Sequence, residues 1–524
     1  MLVIGIARSF QPQTRCLVAS RITEVHCHWR CSVWKTGSRS SRFSDALRVV
    51  GVSTIALLLV VPAAVGQNLP APKQTALEWI ESNEQELVSV SHDIWEYAEV
   101  GLKETLSMAR LTELLLANGF EVEDGIAGMP TAFIGSYGSG EPIIGFLAEY
   151  DALPGVSQDA VPERQPRPGV DAGHGCGHNL YSTASTAAAI AVKQAMEKHG
   201  LPGTVRLFGT PAEETLIGKI YMSRAGVFED LDAVFSWHPS DRTGASYGYS
   251  KALVSAKFQF RGLTAHASTS PHEGRSALDA VEAMNFGVNL LREHVKEDAR
   301  IHYVITDGGG QPNVVPAYAE VWYYVRANKH LDVETYFDRV VEIAEGAAKM
   351  TQTELEVEVI TATHEILPNR TLAEIVDSNL HIVGAPSFTA EEKAFSTKIQ
   401  EPLGRTFDVA LSEKIEPLPS EPTQGVASND QGDISWFTPV GRMRSACYPV
   451  GTPGHSWQIV ASGGTTIGQK GMLVAAKTLA LSGVQLLSNP NSIEAANQEL
   501  NTIREALPFN SLVPEGQQAP TAIR

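Results

Sequence analysis

Apolar positions recur at three- and four-residue spacing along the early part of the chain. They predict helices over Thr75–Val100 and Thr105–Gly119, the second closed by Gly119. The period then shortens. Runs rich in β-branched and aromatic residues predict strands at Thr131–Ser136 and Pro142–Leu147, followed by a Pro/Gly-rich loop, Pro154–Gly175. A small-residue helix, Tyr181–His199, suits close packing against a sheet, and strands recur at Thr204–Gly209 and Ala233–Trp237. Strands alternating with helices predict an α/β layer with a central mixed sheet flanked by helices. Near Lys251 the order changes. Strand Val254–Arg261, helix Ser276–His294, strands Ile301–Thr306 and Tyr318–Ala327, helix Val333–Met350 and strand Leu355–Thr361 make a βαββαβ unit. This is a ferredoxin-like α+β insertion whose edge strands suit pairing with a second copy. Beyond Pro368 the chain returns through helical and loop segments to Gly451–His455 and a helix at Thr465–Leu487.

The first 66 residues do not belong to this pattern. Cationic residues up to Arg48 precede the apolar run Val49–Val61 and the small-residue stretch Ala63–Gln67, the order of a secretory signal. The expectation is export to the periplasm or beyond. A membrane anchor is the alternative, though the run is short for a span. The domain reading is 1–66 signal segment, 67–250 first part of the catalytic domain, 251–367 inserted dimerisation or lid domain, 368–500 second catalytic part and 501–524 tail.

Removing the signal sharpens two properties. It carries eight of the 41 Lys/Arg and two of the 59 Asp/Glu, leaving 33 and 57, a net charge of −24. So acidic a chain argues against nucleic acid or a stable anionic-membrane contact. Of five cysteines only Cys176 and Cys447 remain, which excludes a disulfide framework.

Candidate chemistry gathers where strands end. Gly173-His174-Gly175-Cys176-Gly177-His178-Asn179 places a thiol and imidazoles among glycines, a donor set for a borderline-soft divalent metal. Gly209-Thr210-Pro211-Ala212-Glu213-Glu214 follows a strand with two carboxylates, Ser236-Trp237-His238-Pro239 ends another, and Gly451-Thr452-Pro453-Gly454-His455 is a flexible loop closed by histidine. Ligands at the carboxyl ends of strands in an α/β sheet converge on one crevice. Adjacent glutamates cannot both point at one atom, so Glu214 is the expected ligand and Glu213 the general base and acid. Taken singly, each has a bland alternative: a turn cap for His238, solvation for His455, a surface pair for the glutamates.

Together with Ala148-Glu149-Tyr150-Asp151-Ala152-Leu153-Pro154, the order GHGCGHN, TPAEE, WHP, GTPGHS resembles the co-catalytic metallopeptidase family of aminoacylases, carboxypeptidase G and indoleacetyl-amino-acid hydrolases. Asn179 and Ala427–Asp433 make the p-aminobenzoyl-glutamate hydrolase B-subunit type the subgroup it is most similar to. The resemblance spans about Gln74 to Leu487. It implies a zinc-exopeptidase-like catalytic domain with two divalent metals, zinc or manganese with cobalt as a further option, held by Cys176, His178, Glu214, His238 and His455. Asp151 would orient one ligand. Glu149 stands where the broader family places a metal-binding histidine, with Cys176 compensating, and Asn179 stands where relatives carry Asp. The loop at His266 resembles one whose histidine reaches the neighbouring subunit's site and stabilises an oxyanion; the loop at Asn313 resembles a substrate contact. Arg326 either holds a substrate carboxylate or is an exposed strand residue.

The expected function is a homodimeric, metal-dependent amidohydrolase that splits a small-molecule amide: an N-acyl or N-aroyl amino acid, or a dipeptide-like conjugate. Two alternatives remain: a hydrolase with Cys176 as nucleophile and His178 or His174 as base, and an exported, non-catalytic conjugate-binding protein.

Overall fold

A computed structural model describes residues 69–504 and 509–520. The expected signal segment and parts of the tail lie outside the described residues. The strands are β1 (Glu121–Asp124), β2 (Phe133–Ser139), β3 (Ile143–Ala148), β4 (Gly203–Gly209), β5 (Ala233–Ser240), β6 (Gly244–Ser246), β7 (Gly248–Tyr249), β8 (Ala252–Arg261), β9 (Arg300–Asp307), β10 (Tyr318–Ala327), β11 (Glu354–Thr363), β12 (Thr423–Gln424) and β13 (Val440–Ala446).

Seven of them form a mixed sheet in the order β1-β2-β4-β3-β5-β13-β6. The middle four, β4, β3, β5 and β13, run parallel, while β1, β2 and β6 are antiparallel to their neighbours. Helices cover this sheet. In the helix His178–His199, Ala184, Ala187, Ala188, Ala191 and Ala195 are all buried, so the backbone lies close to the strands and to the helix Thr466–Ser488. That second helix is apolar and long enough to cross a membrane by composition, yet most of its apolar window is buried within the protein. Phe146, Phe235 and Trp237 fill the space between the layers.

The inserted segment is a separate antiparallel sheet in the order β11-β8-β10-β9. Helices Ala277–Leu291 and His330–Thr351 connect its strands in the βαββαβ sequence. Burial alternates along β10: Val321, Tyr323 and Val325 face the helices, whereas Tyr324 and Arg326 take the opposite face.

The expected helix Thr75–Val100 is instead two helices, Ala71–Ser82 and Glu84–Tyr97. They part at Asn83, whose φ of −110° and ψ of 13° are not helical and whose side-chain amide donates back to Trp79 O at 2.7 Å. The apolar period continues across this one-residue break, which hides it from a pattern argument. Strands β1 and β13 were not expected. The small-residue helix begins at His178, three residues before the expected Tyr181, because Gly177 adopts φ 77° and starts it there.

Candidate active site

The parallel strands deliver their carboxyl ends to one edge. Glu149 and Asp151 follow β3, Glu213 and Glu214 follow β4, and His238 lies near the end of β5. Cys176 and His178 come from the turn into the helix after β3, and His455 from the loop after β13. Three groups of donor atoms able to hold a metal ion result, two of which contain the thiol: Cys176 with His178 and His238, and Cys176 with Glu214 and His455. Cys176 belongs to both. All five expected ligands therefore meet, and the thiol is the element shared between the groups.

Neighbouring groups fix the ligand orientations. His178 Nδ1 lies 2.9 Å from Asp151 Oδ1, and a carboxylate only accepts, so Nδ1 carries a proton. Against the effect of burial, Asp151 and Glu149 raise the imidazole's pKa well above its ordinary value, and the neutral ring that a metal would take presents its lone pair at Nε2. His178 Nε2 is buried with no hydrogen-bond partner, as is Glu214 Oε1. Buried polar atoms without partners are costly, and two of them aimed into one cage fit a bound cation. His238 donates through Nδ1 to Pro239 O at 2.7 Å, which likewise turns Nε2 inward. Its ring centroid is 5.9 Å from that of His178. His455 Nε2 lies 3.3 Å from Glu214 Oε2. Asp151 also accepts the Glu214 N–H at 2.9 Å, so one carboxylate braces a ligand from each group.

Glu213 faces the same space. It sits in a short turn between Ala212 and Leu216, both at positive φ (54° and 59°) without being glycine. Glu104, fully buried, holds this strained turn: Oε1 accepts the Ala212 N–H at 2.8 Å and Oε2 accepts the Thr131 hydroxyl at 2.9 Å. The Glu213 carboxylate accepts from Asn429 Nδ2 at 2.7 Å. Burial, reinforced by Glu149 and Asp430, pushes its pKa well above the ordinary carboxylate value, and burial raises Glu214 to about 7. Burial and the Glu214 charge likewise push the Cys176 thiol up.

The third group, Glu149 with His178 and Glu213, shares His178 with the first. Lys219, fully buried, reaches Glu149 Oε1 at 2.8 Å and Asp430 Oδ1 at 2.6 Å. Burial would raise the Glu149 carboxyl, but Lys219, His178 and His238 outweigh it and hold it below its ordinary value. Glu149 is thus tied to the Lys219 ammonium rather than left wholly to a metal ion.

These groups open into a cavity of about 560 Å³ whose lining includes Cys176, Glu213, Glu214, His238, His455 and Arg326. Arg326 is half-buried, its Nε has no partner, and its guanidinium stands 5.2 Å from the Tyr324 ring centroid. It is not an exposed strand residue. His266 and Asn313 are absent from this lining. The structure brings those two loops together, the Ala267 N–H donating to Asn313 O at 3.0 Å, but both loops lie on the surface of the inserted domain. His174 turns away, its Nε2 lying 3.0 Å from Ile94 O. Lys219, Asp430, Asn429, Glu104 and Arg442 were given no role from sequence, since each acts through a contact with a remote segment, although Asn429 and Asp430 lie in the Ala427–Asp433 stretch that carries the subgroup resemblance.

A mixed sheet carrying paired donor groups and a buried carboxylate at its carboxyl edge defines a class of hydrolase. Residues 145–426 match the family described as Peptidase family M20/M25/M40. The chain belongs to that family and is an amide-cleaving hydrolase. It is 42% identical over 463 residues to the B-subunit of p-aminobenzoyl-glutamate hydrolase from Escherichia coli (strain K12), covering 83% of this chain and 96% of that protein. It is 29% identical to the Xaa-Arg dipeptidase of Mus musculus, over 82% of this chain and 91% of that one. Among solved structures, the fold is similar to Bacillus subtilis YxeP, described as a dinuclear metal-binding peptidase, with a TM-score of 0.51 and 19% identity over 78% of this chain and 99% of that chain.

Proposed function

We propose that the protein is a metal-dependent amidohydrolase that cleaves N-acyl or N-aroyl amino acids, p-aminobenzoyl-glutamate-like conjugates included, into acid and amine. The observation that carries this reading is the pair of donor groups sharing Cys176, with Glu213 buried at their side. Cys176, His178 and His238 would hold one divalent ion, and Cys176, Glu214 and His455 a second, zinc or manganese suiting the mixed thiol, imidazole and carboxylate donors. Bound there, the ions would lower the pKa of water and polarise the amide carbonyl.

The protein's own residues do the rest. Glu213, with its raised proton affinity, takes the proton of the attacking water and returns it to the leaving nitrogen. Asn429 keeps the Glu213 carboxylate in place, Asp151 fixes the tautomer of His178, and Arg326 holds the substrate carboxylate. His266 would complete a neighbouring subunit's site in a homodimer formed through the inserted domain, in line with its place outside this chain's cavity. The Cys176-nucleophile alternative is disfavoured because it gives no role to Glu213, Glu214 and His455, which gather around the thiol. Turnover of N-benzoyl amino acids with and without chelator tests the proposal. Full activity in the metal-free protein would end it.

A further inference from the structure

Strand β13 carries cations that the catalytic account leaves unused. It lies beside β5 in parallel register, Arg442 opposite Ser236 and Arg444 opposite His238. Laterally paired residues project from the same face of a sheet, so both arginines rise from the face that carries His238. On its other side β13 pairs with β6, where Arg442 meets Ser246. Arg442, Arg444, Ser236 and Ser246 all line the cavity.

Neither guanidinium has an acidic partner within ion-pair distance among the described residues. Arg442 is half-buried and makes one hydrogen bond, to Gly248 O; burial lowers its pKa to about 10. Arg444 is exposed at the cavity wall. The carboxylates lining the cavity, among the described residues, are Glu213 and Glu214, both at the cage. For Arg442, a guanidinium drawn out of water without a counter-charge is expensive, and the planar fork of either arginine matches a carboxylate. Arg326 approaches from the inserted sheet instead. The cavity therefore offers cations from two separate walls.

We infer that Arg442 and Arg444 form a second anion subsite, distinct from Arg326, and that the preferred substrate is a dianionic N-acyl amino acid with one carboxylate for each wall. The inference rests on the amidohydrolase reading above. The second carboxylate belongs either to the amino-acid side chain or to the acyl group, and the test separates these sources.

The metal-loaded protein is assayed on N-benzoylglycine, N-benzoylglutamate, N-(4-carboxybenzoyl)glycine and N-benzoylarginine. One of the two dianions should exceed N-benzoylglycine in kcat/KM by about ten- to a hundredfold, the range for a charge-assisted contact, and identifies the side that bears the second carboxylate. N-benzoylarginine should be the poorest. In Arg442→Met and Arg444→Met the dianion-to-monoanion ratio should fall towards unity, with Arg442→Lys retaining part of it. A wild-type protein that prefers N-benzoylglycine or N-benzoylarginine, or a ratio unchanged in both Met variants, overturns the subsite while leaving the hydrolase reading intact. If no amide is turned over, the hydrolase reading fails, and calorimetric binding of the same amides to the metal-free protein decides the subsite. Tighter binding of a dianion, lost in the Met variants, upholds it; equal binding of all four overturns it.

Discussion

The two walls of the cavity are built on different principles. The α/β wall places every group at a strand end or helix start and then locks it: Asp151 holds His178 and the Glu214 backbone, Glu104 holds the turn before Glu213, and Lys219 ties Glu149 to Asp430. The inserted wall contributes Arg326 from a strand, but its loop residues His266 and Asn313 stay outside the cavity. The α/β wall supplies all five candidate metal donors and Glu213 from one chain. The inserted wall supplies Arg326 to the cavity lining, and under the proposed function His266 serves a second copy.

That contrast can be tested at several strengths. Glu213→Gln should lower kcat by about 10²–10⁴-fold with metal content unchanged, measured by steady-state kinetics alongside elemental analysis. Near-parental turnover would remove Glu213 from its role. Lys219→Met leaves Glu149 and Asp430 buried without their counter-charge and should cost about 3–5 kcal/mol of stability in a denaturant titration. A shift near zero would mean that the buried acids carry no charge. On the inserted side, His266→Ala should reduce kcat without changing either metal content or stability. Mixed dimers of Glu213→Gln and His266→Ala chains should then regain activity that neither parent has; no recovery would return His266 to its own chain or to no role. The smallest effect is expected from Asn429→Ala, roughly tenfold in kcat, from the loss of one hydrogen bond to a charged group. An equal change in KM alone would recast Asn429 as a substrate contact.

The α/β wall was also the more legible in sequence. Cys176, His178, Glu214, His238 and His455 each lie in a short Gly- or Pro-framed motif, and the turn chemistry that aims the side chain is written beside it. The inserted βαββαβ order follows from period changes alone. What stayed hidden depends on distant partners. Lys219 is one polar residue in a short helix until the fold sets it between Glu149 and Asp430. Glu104 reads as an ordinary acid before a helix, yet it grips Ala212, more than a hundred residues on. Strand β13 carries arginines at alternate positions, the pattern of a solvated edge, and only its place between β5 and β6 turns that face into the cavity.

The central claim is that the Cys176 thiolate is common to both metal-holding groups. The most direct measurement is the metal content of purified Cys176→Ala beside the parent protein, each loaded with zinc or manganese and desalted. Two ions per chain in the parent and loss of both in the variant are expected, since a bridging donor serves both positions of a two-metal site. A Cys176→Ala protein that keeps the parent's full metal complement would contradict the account.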